Sequence, residues 1–106
     1  MAADLNPAEF EKLIEDEKGT LVDFYASWCG PCQQMAPIVE ELAHDNEGKI
    51  NVGKVNIESN QELASKYNVL SIPTFIFFKA GKIVGHEGGV MGKEELNSKI
   101  QKYLLG

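Results

Sequence analysis

The stretch DFYASWCGPCQQMAP, residues 23–37, contains both cysteines of the 106-residue chain, Cys29 and Cys32, with one glycine and one proline between them. Apolar and aromatic residues fill positions 20–26, just before the pair, a composition typical of a buried strand. After the pair, apolar side chains recur at helical spacing up to about His44. The two cysteines are therefore predicted to lie where a strand passes into a helix.

Two cysteines three positions apart can form a disulfide and release it with small adjustments of the helix start. Such a disulfide closes a very short loop, so its entropic stabilisation is minimal and a structural staple is a poor explanation. The first sulfur, on Cys29, is expected to face unpaired backbone N–H groups, which favour the thiolate and make it a nucleophile at neutral pH. Pro31 lacks an N–H that the first turn does not use, and Gly30 leaves the backbone open beside the sulfur.

A cysteine pair of this spacing can also be half of a zinc site. Cys29, Cys32 and His44 match the opening of a zinc-finger spacing, but no second histidine follows within a few residues, and the other histidine is His86. His44 also lies 12 residues beyond Cys32 on the predicted helix, which is about 18 Å along the axis. We therefore expect no metal and no cofactor, and we expect both histidines at the surface.

The composition limits the class of protein. The chain is 43% hydrophobic and 25% charged, and its length suits a single domain over residues 1–106. No apolar run is long enough to span a membrane, and no secretion signal opens the chain, so we expect a cytoplasmic protein. A formal charge of −6 disfavours nucleic acid, which needs clustered Lys and Arg. We expect a monomer without nucleic-acid or membrane partners.

Helix and strand patterns alternate around the cysteine segment. Asn6, Pro7 and Glu9 form a predicted capping box that opens a first helix, and Gly19 is predicted to end it. The strand INVGKVNI follows the cysteine helix at positions 50–57. Since a helix crosses between the two strands, we expect them to be parallel neighbours.

The second half of the chain continues the alternation. SNQE, residues 59–62, is predicted to be a second capping box, and Asn68 a left-handed helix terminator. Residues 74–89 are predicted to form a hairpin that turns at Ala80-Gly81. A C-terminal helix carries the apolar stripe Leu96, Ile100 and Leu104. The order α-β-α-β-α-β-β-α predicts an α/β fold with helices on both faces of a sheet.

Four segments together resemble the thioredoxin family: VDFYASWCGPC at 22–32, the proline at Pro37, KVNIE at 54–58, and SIPT at 71–74 before an aromatic-aliphatic strand. The resemblance covers nearly the whole chain. It implies a thioredoxin fold, whose central mixed sheet of four to five strands is flanked by helices. The family's first strand would be cut here to about residues 3–5.

The resemblance implies a protein disulfide reductase. Cys29 would attack a substrate disulfide, and Cys32 would resolve the mixed disulfide. A thioredoxin reductase would return the electrons, and the clients would be disulfide-containing proteins. Gly30-Pro31 between the cysteines is typical of the family's reducing members, whereas oxidase and isomerase relatives usually have a histidine there. The alternative is a thioredoxin-fold scaffold or accessory subunit whose dithiol is incidental.

The resemblance also implies that Asp23 is a buried acid below the site and that Lys54 is its partner on the adjacent strand, together managing the proton on Cys32. The residues alone leave both assignments open. Alternation places Asp23 on the face of Leu21 and Tyr25, where an exposed or edge acid is equally consistent. A lysine on a strand is usually solvated, so only the resemblance pairs it with this acid.

Further site residues are implied with alternatives. Base rates favour a trans bond before Pro73, whereas the resemblance implies a cis bond against the disulfide that leaves the Ile72 backbone free to pair with an extended substrate. Trp28 could be a core residue, but its place before the first cysteine favours a shield with a flat apolar contact. Gly89 matches a family glycine that permits close approach of a partner, although Gly88-Gly89 could be just a turn.

Two positions depart from the family's pattern. Gln33 follows the second cysteine, where the family is often basic, and this loss of a positive charge is expected to affect the choice of partner. Tyr25 replaces a frequent tryptophan.

Overall fold

In the computed structural model, which describes residues 2–106, a five-stranded sheet carries helices on both faces. The strands are β1 Ala3–Asp4, β2 Thr20–Tyr25, β3 Asn51–Asn56, β4 Thr74–Lys79 and β5 Lys82–Gly88. The helices are α1 Pro7–Leu13, α2 Gly30–Asp45, α3 Gln61–Lys66 and α4 Lys93–Ile100, which continues as a π-helical turn over Gln101–Leu105. Within these residues, no helix is both long and apolar enough to cross a bilayer.

The strands lie in the order β1-β3-β2-β4-β5. β3 pairs in parallel with both β1 and β2, whereas β4 pairs antiparallel with β2 and β5. The mixed sheet and the parallel β2–β3 pair are as predicted. The short edge strand β1 also forms, one residue shorter than expected, and it places the N-terminal segment beside β3.

Strand alternation divides most of the core into two clusters, one on each face of the sheet. On one face, α2 and α4 pack over a cluster formed by Leu21, Met35, Val39, Leu42, Ile50, Phe75, Phe77, Met91, Leu96, Ile100 and Leu104. On the other face, α1 and α3 pack over a second cluster formed by Leu5, Phe10, Ile14, Val22, Phe24, Val55, Leu63, Ile76 and Phe78. The C-terminal stripe is buried as predicted. Asp23, two positions after Leu21, belongs to the face covered by α2 and α4.

The capping box of α1 is confirmed, but the predicted end of that helix is wrong. Asn6 Oδ1 accepts the Glu9 N–H at 2.8 Å, and Glu9 Oε1 accepts the Asn6 N–H at 2.9 Å. The helix ends at Leu13, well before Gly19. The intervening residues form turns in which the Asp16 carboxylate accepts a backbone N–H, and Gly19 adopts a positive φ of 99° just before β2.

The capping box predicted at residues 59–62 is also wrong. α3 begins one residue later than that box requires, with Asn60 as its N-cap and no side-chain cap hydrogen bond. The Asn60 side chain instead donates through Nδ2 to the Asn56 carbonyl at 2.9 Å, which turns it toward the end of β3. The predicted left-handed residue after α3 is present, since Asn68 has a φ of 55°.

The hairpin turns where the sequence predicts. Ala80 and Gly81 have φ values of 52° and 82°, and two consecutive positive φ values are typical of the tight turn that matches the twist of paired strands. The hairpin brings the end of β5 beside the start of β4, where Thr74 pairs with Gly88.

Candidate active site

The disulfide Cys29–Cys32 lies at the start of α2. Cys29 is the N-cap of this helix, and its Sγ accepts the backbone N–H of Cys32 at 3.1 Å. Pro31 fits the first turn because an N–H is dispensable there. The Cα atoms of the pair are 5.2 Å apart, and the two residues are only 5% and 4% exposed. The predicted junction of strand, cysteine pair and helix is present.

A loop before β4 packs against the disulfide. Cys29 Sγ lies 3.9 Å from the Ile72 carbonyl oxygen, and Ile72 packs on the cluster of Ala26 and the two cysteines. The bond between Ile72 and Pro73 is cis, as the resemblance implies. The Gly89 N–H donates to the Pro73 carbonyl at 3.0 Å, which ties the end of the hairpin to the same loop.

The outer rim of this region is open to solvent. Trp28 is 67% exposed, so the alternative of a core tryptophan is excluded. Gly30 and Pro31 beside the disulfide are exposed too. Gly89 has a φ of 88°, and a Cβ there would meet no heavy atom within 4 Å. The space above Gly89 is therefore open.

Asp23 is buried in the middle of β2, with 2% of its surface exposed. Its Oδ1 atom has no hydrogen-bond partner among residues 2–106. The alternative of an exposed or edge acid is therefore excluded. Burial raises the pKa of Asp23 to about 7; the charge of Lys54 acts in the opposite direction, and the charge of Asp4 adds to the rise.

A cavity of about 110 Å³ joins this acid to Cys32. Its lining residues are Asp23, Tyr25, Ala26, Ser27, Cys32, Gln33, Ala36 and Lys54. Asp23 and Cys32 thus line the same space. Lys54 lies directly opposite Asp23 in the β2–β3 register. Its Nζ is 5.4 Å from the centroid of the Tyr25 ring, and it makes no ion pair within 4.0 Å to a carboxylate of the described chain.

Several contacts around the cavity were not predicted from the sequence. Gln33 Nε2 donates to the Ser27 carbonyl at 2.9 Å, and the Ser27 hydroxyl donates to Glu58 Oε1 at 3.0 Å. The Tyr25 hydroxyl donates to Asp4 Oδ1 at 2.5 Å. Gln33 and Tyr25 stand out in the sequence because both positions depart from the family's pattern. Nothing in the sequence signals the contacts of Asp4 and Glu58, because these contacts depend on how distant segments meet.

Comparison with known proteins identifies the group to which the chain belongs. The family model described as Thioredoxin matches residues 1–102. The chain belongs to the thioredoxin family. Among curated thioredoxins, that of Alicyclobacillus acidocaldarius is 42% identical over 100 residues, covering 94% of this chain and 95% of that protein. The thioredoxin of Staphylococcus aureus strain Mu50 is 45% identical over 97 residues, covering 92% of each.

A solved structure shows the same fold. A single-site mutant of the thioredoxin from Halobacterium salinarum NRC-1 is 35% identical and superimposes with a TM-score of 0.86, covering 97% of this chain and 89% of that one. The mixed five-stranded sheet with its flanking helices is therefore a thioredoxin fold. Thioredoxins are thiol–disulfide oxidoreductases, and the Cys29–Cys32 disulfide gives this member of the family its redox pair.

Proposed function

We propose that the protein is a protein disulfide reductase in which Cys29 is the attacking sulfur and Cys32 the resolving sulfur. The observation that carries this assignment is the position of Cys29 as the N-cap of α2, where its Sγ already accepts a backbone N–H. The same N–H and the helix dipole stabilise negative charge on that sulfur once the disulfide is reduced. Cys32, within the first turn, is placed to attack Cys29 next.

The reaction consists of two exchanges. The Cys29 thiolate attacks one sulfur of a client disulfide, the client S–S bond breaks, and the other client sulfur leaves as a thiolate that takes up a proton. Cys32 then loses its proton and attacks Cys29, and the bond between Cys29 and the client breaks. The client leaves with both sulfurs reduced, and two electrons have passed to it from the pair. The Cys29–Cys32 disulfide of the structure is the product state, which a thioredoxin reductase would reduce again.

Asp23 is proposed to accept the proton of Cys32. Both residues line the 110 Å³ cavity, and a space of that volume with polar side chains in its wall has room for water that could carry the proton between them. A pKa of about 7 for Asp23 suits a group that must take and release a proton near neutral pH. Lys54, opposite it in register, is proposed to limit the rise of that pKa through its positive charge.

The client is proposed to bind as an extended segment beside the disulfide. The Ile72 N–H makes no hydrogen bond within the described residues, and Ile72 lies against Cys29. A backbone group in that position can pair with the main chain of a client, which favours a broad range of substrates. Pro73 shapes this loop, Gly89 leaves space for the approaching chain, and the exposed Trp28 offers an apolar contact.

We further propose that residues 1–106 act as one monomeric domain in the cytoplasm. Disulfide-containing clients and a thioredoxin reductase are the partners, and no nucleic acid or membrane takes part.

The assignment of the two sulfurs is tested by trapping. Cys32→Ser removes the resolving thiol, so the variant should accumulate a mixed disulfide with a protein client, located at Cys29 by peptide mass spectrometry. Cys29→Ser is the matched control and should trap no client. An adduct at Cys32 in the control, or none in either variant, would contradict the assignment. A scaffold would instead keep its activity when both cysteines are replaced by serine.

A further inference from the structure

Three charged side chains lie side by side across three strands of the sheet. In the β1–β3 register Asp4 is opposite Lys54, and in the β2–β3 register Asp23 is opposite the same lysine. Directly opposed residues of parallel strands project from the same face of a sheet. One ammonium group therefore lies between two carboxylates, one at the exposed edge and one buried at the centre.

Tyr25 connects the edge carboxylate to this row. It lies two positions beyond Asp23 on β2 and so shares its face. Its hydroxyl donates to Asp4 Oδ1, and its ring lies under Lys54 Nζ at 5.4 Å from the centroid. Burial and then the bond to Asp4 raise the pKa of Tyr25 to about 12, so the hydroxyl remains a donor at neutral pH.

The ammonium group does not close an ion pair with the buried acid. No carboxylate of residues 2–106 lies within 4.0 Å of Lys54 Nζ, which instead lies over the tyrosine ring that Asp4 holds. A lysine in contact with Asp23 would hold that carboxyl ionised and unable to carry a proton near neutral pH. The distance between the ammonium group and Asp23 therefore affects whether that carboxyl can carry a proton near neutral pH.

The other neighbours of the buried acid carry no competing charge. β4 presents Phe75 opposite Asp23, and α2 contributes Cys32 and uncharged residues to the cavity. The next acid along the row, Glu87 on β5, is held by the Tyr103 hydroxyl at 2.6 Å and by Lys99 at 3.6 Å. Lys54 and Asp4 are thus the charged groups that act on Asp23.

We propose that Asp4 is a positioning residue for the thiol–disulfide reaction: through Tyr25 and Lys54 it keeps the ammonium group off Asp23, so that the buried carboxyl can exchange a proton with Cys32. The proposal rests on the function proposed above for Asp23. Asp4 neither lines the cavity nor packs on the cysteines, and it acts through its negative charge and its hydrogen bond from Tyr25. When the charge of Asp4 is removed, the positive charge of Lys54 should act more strongly on Asp23. The pH at which that carboxyl titrates should then fall.

The test follows Asp23 itself in the full-length oxidised protein, through the pH dependence of its side-chain carboxyl ¹³C signal, assigned by its loss in Asp23→Asn. Asp4→Asn should move the titration midpoint to lower pH by about 0.5 unit. It should also move the pH profile of client reduction in the same direction. Asp4→Glu keeps the charge and should titrate like the parent. Asp45→Asn, which removes the same charge near the far end of α2, is the matched control and should change neither quantity.

Two results would overturn the proposal, and they are distinguishable. A midpoint for Asp23 that does not move in Asp4→Asn, or that moves equally in Asp45→Asn, would show that Asp4 has no specific link to the buried acid. Alternatively, the midpoint could move as expected while Asp23→Asn keeps the parent's pH profile of client reduction. The role proposed for Asp23 would then be wrong. Asp4 would then have no part in the reaction.

Discussion

At the scale of single residues, Asp23 is unusual because its carboxyl group is buried inside the sheet. An ionised carboxylate inside a sheet is costly unless it is paired or hydrogen-bonded, and here one oxygen has no hydrogen-bond partner among the described residues. The sequence could not decide between a buried and an exposed acid, since alternation fixes only the face of the strand. The covering helix decides it, because α2 carries Cys32 and Ala36 over that position.

The raised pKa of Asp23 predicts that the stability of the protein depends on pH. The pKa of Asp23 rises from 3.8 to about 7 on folding, so the folded state binds the extra proton between these values and its stability falls as the pH rises through them. At about 1.4 kcal/mol per pKa unit, the loss approaches about 4 kcal/mol above pH 7. Asp23→Asn should remove this slope and raise the free energy of unfolding of the oxidised protein at pH 8, as measured by urea denaturation at pH 5 and pH 8.

Asp16 provides a control, because its pKa is lowered whereas that of Asp23 is raised. Its hydrogen bond from the Lys18 backbone is the main cause that lowers its pKa, so it stabilises the fold above its unfolded pKa and loses this effect as the pH falls. Asp16→Asn should therefore leave the slope caused by Asp23 in place. Equal stabilities of Asp23→Asn and its parent at both pH values would contradict the raised pKa of Asp23.

The exposed indole of Trp28 should matter for clients more than for folding. It is 67% exposed, so Trp28→Ala should change the free energy of unfolding by about 0.5 kcal/mol or less. If the indole is a client contact, the same change should slow the reduction of a protein disulfide about fivefold or more, while a small disulfide is reduced nearly as before. Ile83→Ala on β5, which is 53% exposed, is the control and should slow neither; equal slowing by both would contradict a contact specific to Trp28.

At the scale of helices and strands, prediction succeeded where the signal was local. The reciprocal hydrogen bonds of Asn6 and Glu9 and the turn at Ala80-Gly81 depend on neighbouring residues only. It failed at the start of α3, where the Asn60 side chain donates to the Asn56 carbonyl at the end of β3 and the helix has no side-chain cap, an arrangement that the capping pattern does not reveal. Gly19 likewise serves the entry into β2, after turns that a helical pattern does not reveal.

The two capping predictions lead to a matched pair of variants. Asn6→Ala removes a side-chain acceptor that caps α1, so it should lower the free energy of unfolding by about 1 kcal/mol. Ser59→Ala alters the residue that the sequence wrongly predicted to cap α3, and it should cost about 0.5 kcal/mol or less. Urea denaturation of both variants at one pH measures the difference. A larger loss in Ser59→Ala would mean that this helix does depend on its serine.

At the scale of the whole molecule, the order of elements and the family's motifs were enough to predict the fold and the redox pair. The arrangement around the cavity was not predictable to the same extent. Asp4, Tyr25 and Lys54 meet because β1 and β2 both pair with β3, and a contact between residues so far apart depends on the register of the assembled sheet. The electrostatic surroundings of Asp23 are thus a property of the assembled sheet.

The most direct test of the reductase assignment is the midpoint potential of the Cys29–Cys32 pair. It can be measured by equilibrating the protein in graded thiol–disulfide buffers and following both Trp28 fluorescence and thiol alkylation. The Gly30-Pro31 dipeptide and the membership of the thioredoxin family predict a value at or below the cytosolic glutathione poise of about −220 to −260 mV, where electrons flow from the pair to client disulfides. A value more oxidising than about −180 mV would contradict this direction and identify the protein as a disulfide donor or isomerase.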